Sequence, residues 1–365
     1  MPKLRVLVVD DAVVVRQLVS KVLAGDPELE VVGVAANGRI GLAKIPQVNP
    51  DAIVLDLEMP EMDGLEMLQA VRDTYPQLPV IMFSALTERG AAATLDALAL
   101  GASDYVTKPT SKHKEEAMAY IRMQLIPRLK ALCPGVVARP QAVPTPASAS
   151  PARTLTQQHS FAPIDILAIG VSTGGPNALV SLLSQLPAEF PVPIVIVQHM
   201  PPLFTKRLAE RLNAQSSLNV AEAEPGARLL PGQAWLAPGD FHMAIARAGT
   251  EVTLNLHQGA PENSCRPAVD VLFRSVVTYY GAGTLGLILT GMGQDGLNGC
   301  ACIREAGGQV WVQDEASSVV WGMPGIVAEA GLADRVLPLA QIPGALAQRV
   351  AHRGRGEQLA RPAKP

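Results

Sequence analysis

Short apolar runs that alternate with helix-spaced segments constrain the fold of this chain more than any other feature. In the first third the runs are Leu4–Val9, Val31–Ala35, Ala52–Leu55, Val80–Phe83 and Asp104–Val106. Between them, Val14–Leu23, Leu65–Arg72 and Ala91–Ala99 repeat apolar residues at the helical period. Five strand–helix units in succession predict a parallel sheet with helices on both faces, and in such sheets function gathers at the carboxyl ends of the strands. The pattern restarts with strand Ile164–Ile169, helix Pro176–Leu186, strand Pro193–Val197 and helix Phe204–Leu212. Residues Asn219–Leu256 are rich in β-type residues and Gly/Pro turns and predict hairpins, after which Leu285–Leu289 and Gln309–Val312 return to buried strands.

A compositional break divides the two halves. Pro134–Pro163 holds six prolines in thirty residues among Ala, Ser, Thr and Gln, and without aliphatic periodicity such a segment reads as a flexible, partly extended linker. The expected organisation is a first domain over 1–125, a helical extension and Pro/Ala-rich linker over 126–163, a second domain over 164–350 and a flexible tail over 351–365. The near-balance of 30 Lys plus Arg against 33 Asp plus Glu leaves no electrostatic footprint for nucleic acid. No apolar stretch approaches the ~18–20 residues that cross a bilayer, and no secretory signal is evident, so membrane insertion is not expected. Four cysteines in 365 residues do not make a disulfide scaffold. These features point to a soluble, cytoplasmic protein.

Acids end the strands of the first domain. Asp10 and Asp11 follow the first strand, Asp56 the third, Ser84 the fourth and Lys108 the fifth. Any one acid in such a place is ordinarily a solvated loop residue, but a parallel sheet brings all five side chains to one edge. Crowded carboxylates are hard oxygen ligands that suit Mg²⁺. Beside such an ion one carboxylate can accept a phosphoryl group, with the lysine and the Ser84 hydroxyl on the transferring oxygens.

The second domain carries Gly170-Val171-Ser172-Thr173-Gly174 between a strand and a helix, a G-x-S-x-G pattern that suits a serine on a sharp, exposed turn. The same glycines could cradle a dinucleotide phosphate, but the spacing is not the dinucleotide fingerprint and Ile194–Val197 runs into Gln198-His199 rather than an acid. Of the domain's three histidines, His199 emerges directly after a strand at the edge Ser172 occupies, whereas His242 and His257 fall in the hairpin region. A triad also needs an acid to hold the imidazole. Asp295, in the glycine-rich turn Thr290–Gly296, is the best candidate, with Asp240, Asp270 and Asp314 as competitors. An amide of that turn, such as that of Met292, could help bind an oxyanion. Cys300 and Cys302 point about 200° apart on a helix and read as small buried thiols rather than a metal pair.

Two resemblances emerge from these residues. Asp10-Asp11, Leu55–Gly64, Ser84-Ala85 and Lys108-Pro109 resemble the receiver domain of two-component response regulators. Gly170–Gly175, Gln198-His199-Met200, Ala237–Met243, Arg266–Phe273, Thr290–Gly296 and Gln313–Ser317 resemble the chemotaxis receptor methylesterases (protein-glutamate methylesterase and glutaminase). The resemblance implies an α/β fold of two doubly wound domains. The first is a flavodoxin-like receiver, and the second an α/β serine hydrolase with a parallel sheet and a β-hairpin insertion. It implies Asp56 as phosphoacceptor, Asp10, Asp11 and Asp56 as the Mg²⁺ site, and Ser84, Tyr105 and Lys108 as switch residues. In the hydrolase it implies Ser172, His199 and Asp295 as the triad, with Thr173 and Met292 as neighbours and no cofactor. The implied partners are a chemotaxis-type histidine kinase and methyl-accepting chemoreceptors. In the family the unphosphorylated receiver covers the catalytic face, and the long linker here departs from that pattern. The competing readings are a non-catalytic response-regulator adaptor and a nucleotide-binding signalling module.

Overall fold

The computed structural model describes residues 2–111, 113–135, 162–248 and 251–351. Most of the Pro/Ala-rich linker and nearly all of the tail lie outside them. By internal contacts the chain divides into two compact units, Met1–Phe83 with Val106–Phe161, and Ser84–Tyr105 with Ala162–Pro365.

The amino-terminal sheet has five strands, β1 (Leu4–Val9), β2 (Leu29–Ala35), β3 (Ala52–Asp56), β4 (Val80–Ser84) and β5 (Asp104–Thr107), in the order β2-β1-β3-β4-β5. The strand order reverses between β1 and β3, and their register pairs Val9 with Leu55. That pairing puts Asp10 and Asp56 side by side just past the strand ends. The helices α1 (Val13–Ala24), α2 (Gly38–Val48), α3 (Gly64–Thr74), α4 (Glu88–Ala99) and α5 (Lys114–Leu132) follow the strands in turn. At the start of α3, Asp63 accepts from the Glu66 amide and Glu66 accepts from the Asp63 amide (2.9 and 3.0 Å), a reciprocal cap. Gly64 lies so close to the Asp56 carbonyl that a Cβ there would collide with it. The loop after β3 is thereby pinned.

The carboxy-terminal sheet has seven strands, β6 (Ile166–Val171), β7 (Ile194–Gln198), β8 (Asn219–Glu222), β9 (Gln233–Leu236), β12 (Thr284–Ile288), β13 (Gln309–Gln313) and β14 (Arg335–Leu337). Their order is β14-β13-β12-β6-β7-β9-β8. Every neighbouring pair is parallel. The reversal here falls between β6 and β12, so the chain leaves the sheet centre in both directions and opens a crevice at the strand ends. Only part of the β-rich middle forms a hairpin: β10 (His242–Ala248) pairs antiparallel with β11 (Glu251–His257). The expectation of hairpins across Asn219–Leu256 is corrected for β8 and β9, which join the parallel sheet beside β7. Local β-propensity reports a strand but not its partner.

Helices α6 (Gly175–Leu183), α7 (Phe204–Gln215), α8 (Val269–Tyr280), α9 (Leu297–Glu305), α10 (Met323–Glu329) and α11 (Ile342–Ala351) complete the unit. The apolar face of α8, with Val269, Leu272, Phe273 and Val276 fully buried, packs in one cluster with Ile166, Ala168 and Ile288. Burying each large side chain contributes on the order of 1.5–3 kcal/mol. This packing sets the N-terminus of α8 over the end of β6, where Gly170 leaves no room for a Cβ against the Val269 methyls. Gly170→Ala is expected to destabilise the protein by about 1–3 kcal/mol through overpacking, read as a lowered denaturant midpoint of the full chain.

Candidate active site

Three strand ends build the carboxy-terminal site. Register pairs Val171 of β6 with Gln198 of β7, and Gly170 with Ile288 of β12, so Ser172, His199 and the turn after β12 emerge together. The His199 amide donates to the Val171 carbonyl (3.2 Å), and the Ser172 amide donates to the Thr290 carbonyl (3.0 Å). After Ser172 the chain turns sharply through Gly174, whose φ of 77° favours glycine, and enters α6. The Ser172 carbonyl accepts from the Gly175 amide and from Gln198 Nε2 (2.8 and 3.0 Å), which fixes the elbow. Thr290 ties its other side: its Oγ1 donates to the Thr173 carbonyl (2.9 Å), and its amide donates to Gln313 Oε1 (2.8 Å). Among the described residues the amides of Thr173 and Met292 donate no hydrogen bond within the chain.

His199 Nε2 donates to Asp295 Oδ2 at 2.8 Å. Asp295 is buried, and three further donors converge on its carboxylate. The Val269 amide reaches Oδ2 (2.7 Å), while the Asp270 amide and Asn263 Nδ2 both reach Oδ1 (3.0 Å). The two amides open α8, so the carboxylate sits at the positive end of that helix. Burial alone would raise the Asp295 carboxyl, but the His199 bond and charge and the two amides hold it below its usual range. Burial likewise disfavours the His199 imidazolium, yet Asp295, with Cys265 adding to it, raises the ring to about 10. Among the described residues the ring's side-chain hydrogen bond runs to Asp295, and none joins Ser172 Oγ. With Nε2 on the carboxylate, Nδ1 is the ring nitrogen left able to accept a proton. Catalytic bonds are often long before substrate binds.

The competing acids are engaged elsewhere. Asp240 accepts from Arg266 and Gln258, and Asp314 from Ser317. The Asp270 carboxylate accepts from the Gly299 amide, Asn263 and Asn298. His242 accepts from the Ala268 amide at Nδ1 and donates to the Ala260 carbonyl at Nε2 (3.2 and 3.0 Å), bracing the loop that leads into α8. His257, at the end of β11, accepts from the Gly259 amide. Cys300 is buried, its thiol pushed up by burial, and Cys302 is half-buried on the same helix. Asn263, Cys265 and the α8 amides went unnoticed in the sequence. The available signal was Asn-Ser-Cys-Arg-Pro directly before a helix start.

In the first unit, Lys108 Nζ lies 2.9 Å from Asp10 Oδ2 and 2.7 Å from Asp56 Oδ2. Oxygens of Asp10, Asp11 and Asp56 lie within 4.8 Å of one another. Burial raises the Asp56 carboxyl to about 6; the Lys108 bond opposes this and the Asp10 charge adds to it. Asp10 Oδ2 is buried with no hydrogen-bond partner beyond its ion contact with Lys108. A hard divalent cation fits this set, because it would take up the orphaned oxygen and neutralise the crowded charge. Ser84, fully buried, donates to the Gly90 carbonyl (3.3 Å). Within the second unit Tyr105 stacks on Phe204 (ring centroids 4.9 Å apart), and Thr173 Oγ1 donates to Asp104 (2.8 Å).

A CheB methylesterase family model matches residues 167–346, and a response regulator receiver domain model matches 6–120. The protein-glutamate methylesterase/protein-glutamine glutaminase of Trichodesmium erythraeum is 57% identical over 96% of this chain and 100% of its own. The chain belongs to this methylesterase family. The namesake from Nocardioides sp. is 52% identical over 96% of both chains. The crystal structure of the Thermotoga maritima CheB methylesterase catalytic domain, 44% identical, matches with a TM-score of 0.50 over 51% of this chain and 99% of that one. The seven-stranded parallel α/β region that this match spans, residues 167–346, is thus the methylesterase domain, and the five-stranded sheet belongs to the receiver. No helix among the described residues is long and apolar enough to cross a membrane.

The raised His199 sets a pH dependence. As a general base His199 would act only with its ring unprotonated, and the imidazolium persists above its ordinary value near 6.5. The hydrolysis rate is therefore expected to rise with pH through a limb displaced to the alkaline side of that value. In Asp295→Asn the limb should move to lower pH with a lower plateau, read from kcat/KM profiles.

Proposed function

We propose that this protein is a phosphorylation-activated serine hydrolase that removes methyl groups from glutamate methyl esters of chemoreceptors and deamidates receptor glutamines. The observation that carries the reading is the His199 ring, fixed on Asp295 at the strand end beside Ser172. Ser172 Oγ attacks the ester carbonyl while His199 Nδ1 takes its proton. The Thr173 and Met292 amides are the donors available to the developing oxyanion. The proton passes to the departing methanol, and water, activated by the same ring, releases the glutamate carboxylate. With a glutamine side chain the leaving group is ammonia. Each turnover adds a negative charge to the receptor, an electrostatic change able to retune its signalling.

Control comes from the receiver. Asp56 accepts the phosphoryl group from a chemotaxis-type histidine kinase in the cytoplasm. Asp10, Asp11 and Asp56 would hold Mg²⁺, whose charge would stabilise the transferring oxygens. Lys108 is placed to contact the phosphoryl group, and Ser84 and Tyr105 are the switch residues that respond to it. The Thr173–Asp104 bond and the Tyr105–Phe204 stack in the second unit support such coupling, because Thr173 adjoins the nucleophile. Phosphorylation would loosen these contacts and open the hydrolase site. The absence of any gross excess of positive charge gives nucleic acid no role in this reading.

Two substitutions test it. Ser172→Ala is expected to abolish methanol release from methylated receptor membranes, and retained release would overturn the nucleophile assignment. Asp56→Asn should lose radiolabel uptake from a small phosphodonor with Mg²⁺, along with the phosphodonor's stimulation of methanol release. Label uptake by that variant would overturn the acceptor assignment.

A further inference from the structure

A thiol that the proposed reaction does not use stands beside the catalytic imidazole. Cys265 closes a tight turn, Glu262–Cys265, in which Asn263 and Ser264 both have positive φ (52° and 62°) and the end residues exchange backbone hydrogen bonds (3.1 and 2.9 Å). This is type I′ geometry. The turn is built rather than incidental. Glu262 is paired with Arg274 of α8 through both oxygens (2.7 and 2.6 Å), and Arg266 is held by Asp240 and the Gly259 carbonyl. The result is a sulfur, an imidazole nitrogen and a carboxylate oxygen, from Cys265, His199 and Asp295, all within 4.8 Å of one another.

We propose that Cys265, His199 and Asp295 form a thiolate–imidazole–carboxylate site for a borderline-soft divalent cation, zinc foremost, whose binding switches the hydrolase off. Zinc bonds of about 2.0–2.3 Å put tetrahedral ligands roughly 3.3–3.8 Å apart, so from at most 4.8 Å the sulfur need close by no more than roughly 1.5 Å, while Nε2 and Oδ2, 2.8 Å apart, open by about 0.5 Å as the proton between them leaves. The fourth position is left for water. Thiolate and carboxylate together carry two negative charges, so the ion is neutralised as it enters, and the sulfur and nitrogen select it over Mg²⁺. His199 and Cys265 are both partly exposed, which gives the ion a route from solvent. The two metal-competent clusters among the described residues thus differ in kind, hard oxygens in one and mixed donors in the other.

Inhibition follows from the tautomer. Coordination uses the Nε2 lone pair, so the thiol proton leaves to solvent and the neutral ring's single proton moves from Nε2 to Nδ1. That is the atom which must accept the serine proton. A zinc-loaded site has a serine and no base.

The proposal rests on the hydrolase reading only for its inhibitory consequence, and cobalt reports the site without substrate. Titrating the full chain with Co²⁺ is expected to produce a thiolate-to-cobalt charge-transfer band that Cys265→Ser and Cys265→Ala both lose and Cys302→Ser keeps. The receiver carboxylates cannot produce such a band. Zinc should also suppress methanol release reversibly with chelator, and at least tenfold less effectively in either Cys265 variant relative to its own metal-free rate. No thiolate band, a band that survives in both Cys265 variants, or equal zinc sensitivity would overturn the site. If the band forms as expected while the wild type releases no methanol, the cation site stands and the hydrolase reading falls.

Discussion

The buried carboxylate of Asp295 organises the carboxy-terminal unit. An ionised carboxylate away from water is costly unless every lone pair finds a donor. Here four donors come from three places in the chain: the end of β7, the first two amides of α8, and the turn before that helix. Hydrogen bonds to a charged group are each worth on the order of 1.5–3 kcal/mol. One side chain therefore ties the glycine-rich turn after β12 to α8, to the Glu262–Cys265 turn and to His199. The imidazole gains its tautomer and its orientation from the same constraint, so stability and chemistry rest on one group.

Both units solve the positioning problem in the same way. In a parallel sheet whose strand order reverses, the loops on either side of the reversal run in opposite directions and leave a crevice. In the receiver the reversal lies between β1 and β3 and gathers acids; in the methylesterase it lies between β6 and β12 and gathers a hydroxyl, an imidazole and one carboxylate. The fold supplies the location, and residue chemistry decides the reaction. Asp10 and Asp56 crowd together with a lysine and suit a hard cation. Ser172 instead lies beside unbonded amides at the start of α6 and suits acyl chemistry.

The sequence made most of this visible because the decisive residues sit directly after apolar runs. Asp10, Asp56, Ser172 and His199 could be placed at sheet edges by counting alone. Asp295 was separable from Asp240, Asp270 and Asp314 only by its glycine-rich context, and the structure gives the physical reason for the distinction. The other three acids are engaged by Arg266, by Ser317, and by the Gly299 amide with two asparagines. What stayed hidden was non-local or carried by the backbone. The parallel pairing of β8 and β9 depends on a partner strand distant in sequence. The amides of Val269 and Asp270 act whatever their side chains are, so no residue type announces them. Asn263 and Cys265 act through a turn whose closure depends on two positive-φ residues rather than on any hydrophobic pattern.

One imidazole therefore has two nucleophile-bearing neighbours, and their surroundings separate their roles. Cys265 is the more nucleophilic side chain by chemistry. It lies, however, in a closed turn whose Glu262 and Cys265 amides and carbonyls are already bonded to each other, and beside a carboxylate that would repel a forming oxyanion. Ser172 is the weaker nucleophile, but it precedes a helix start and lies beside the unbonded amides of Thr173 and Met292. Acyl transfer is limited by the charge that develops on the carbonyl oxygen, and preorganised donors for that charge are worth several kcal/mol. In the proposed reaction the donors in place favour the weaker nucleophile over the stronger one without them, consistent with a different role for the thiol.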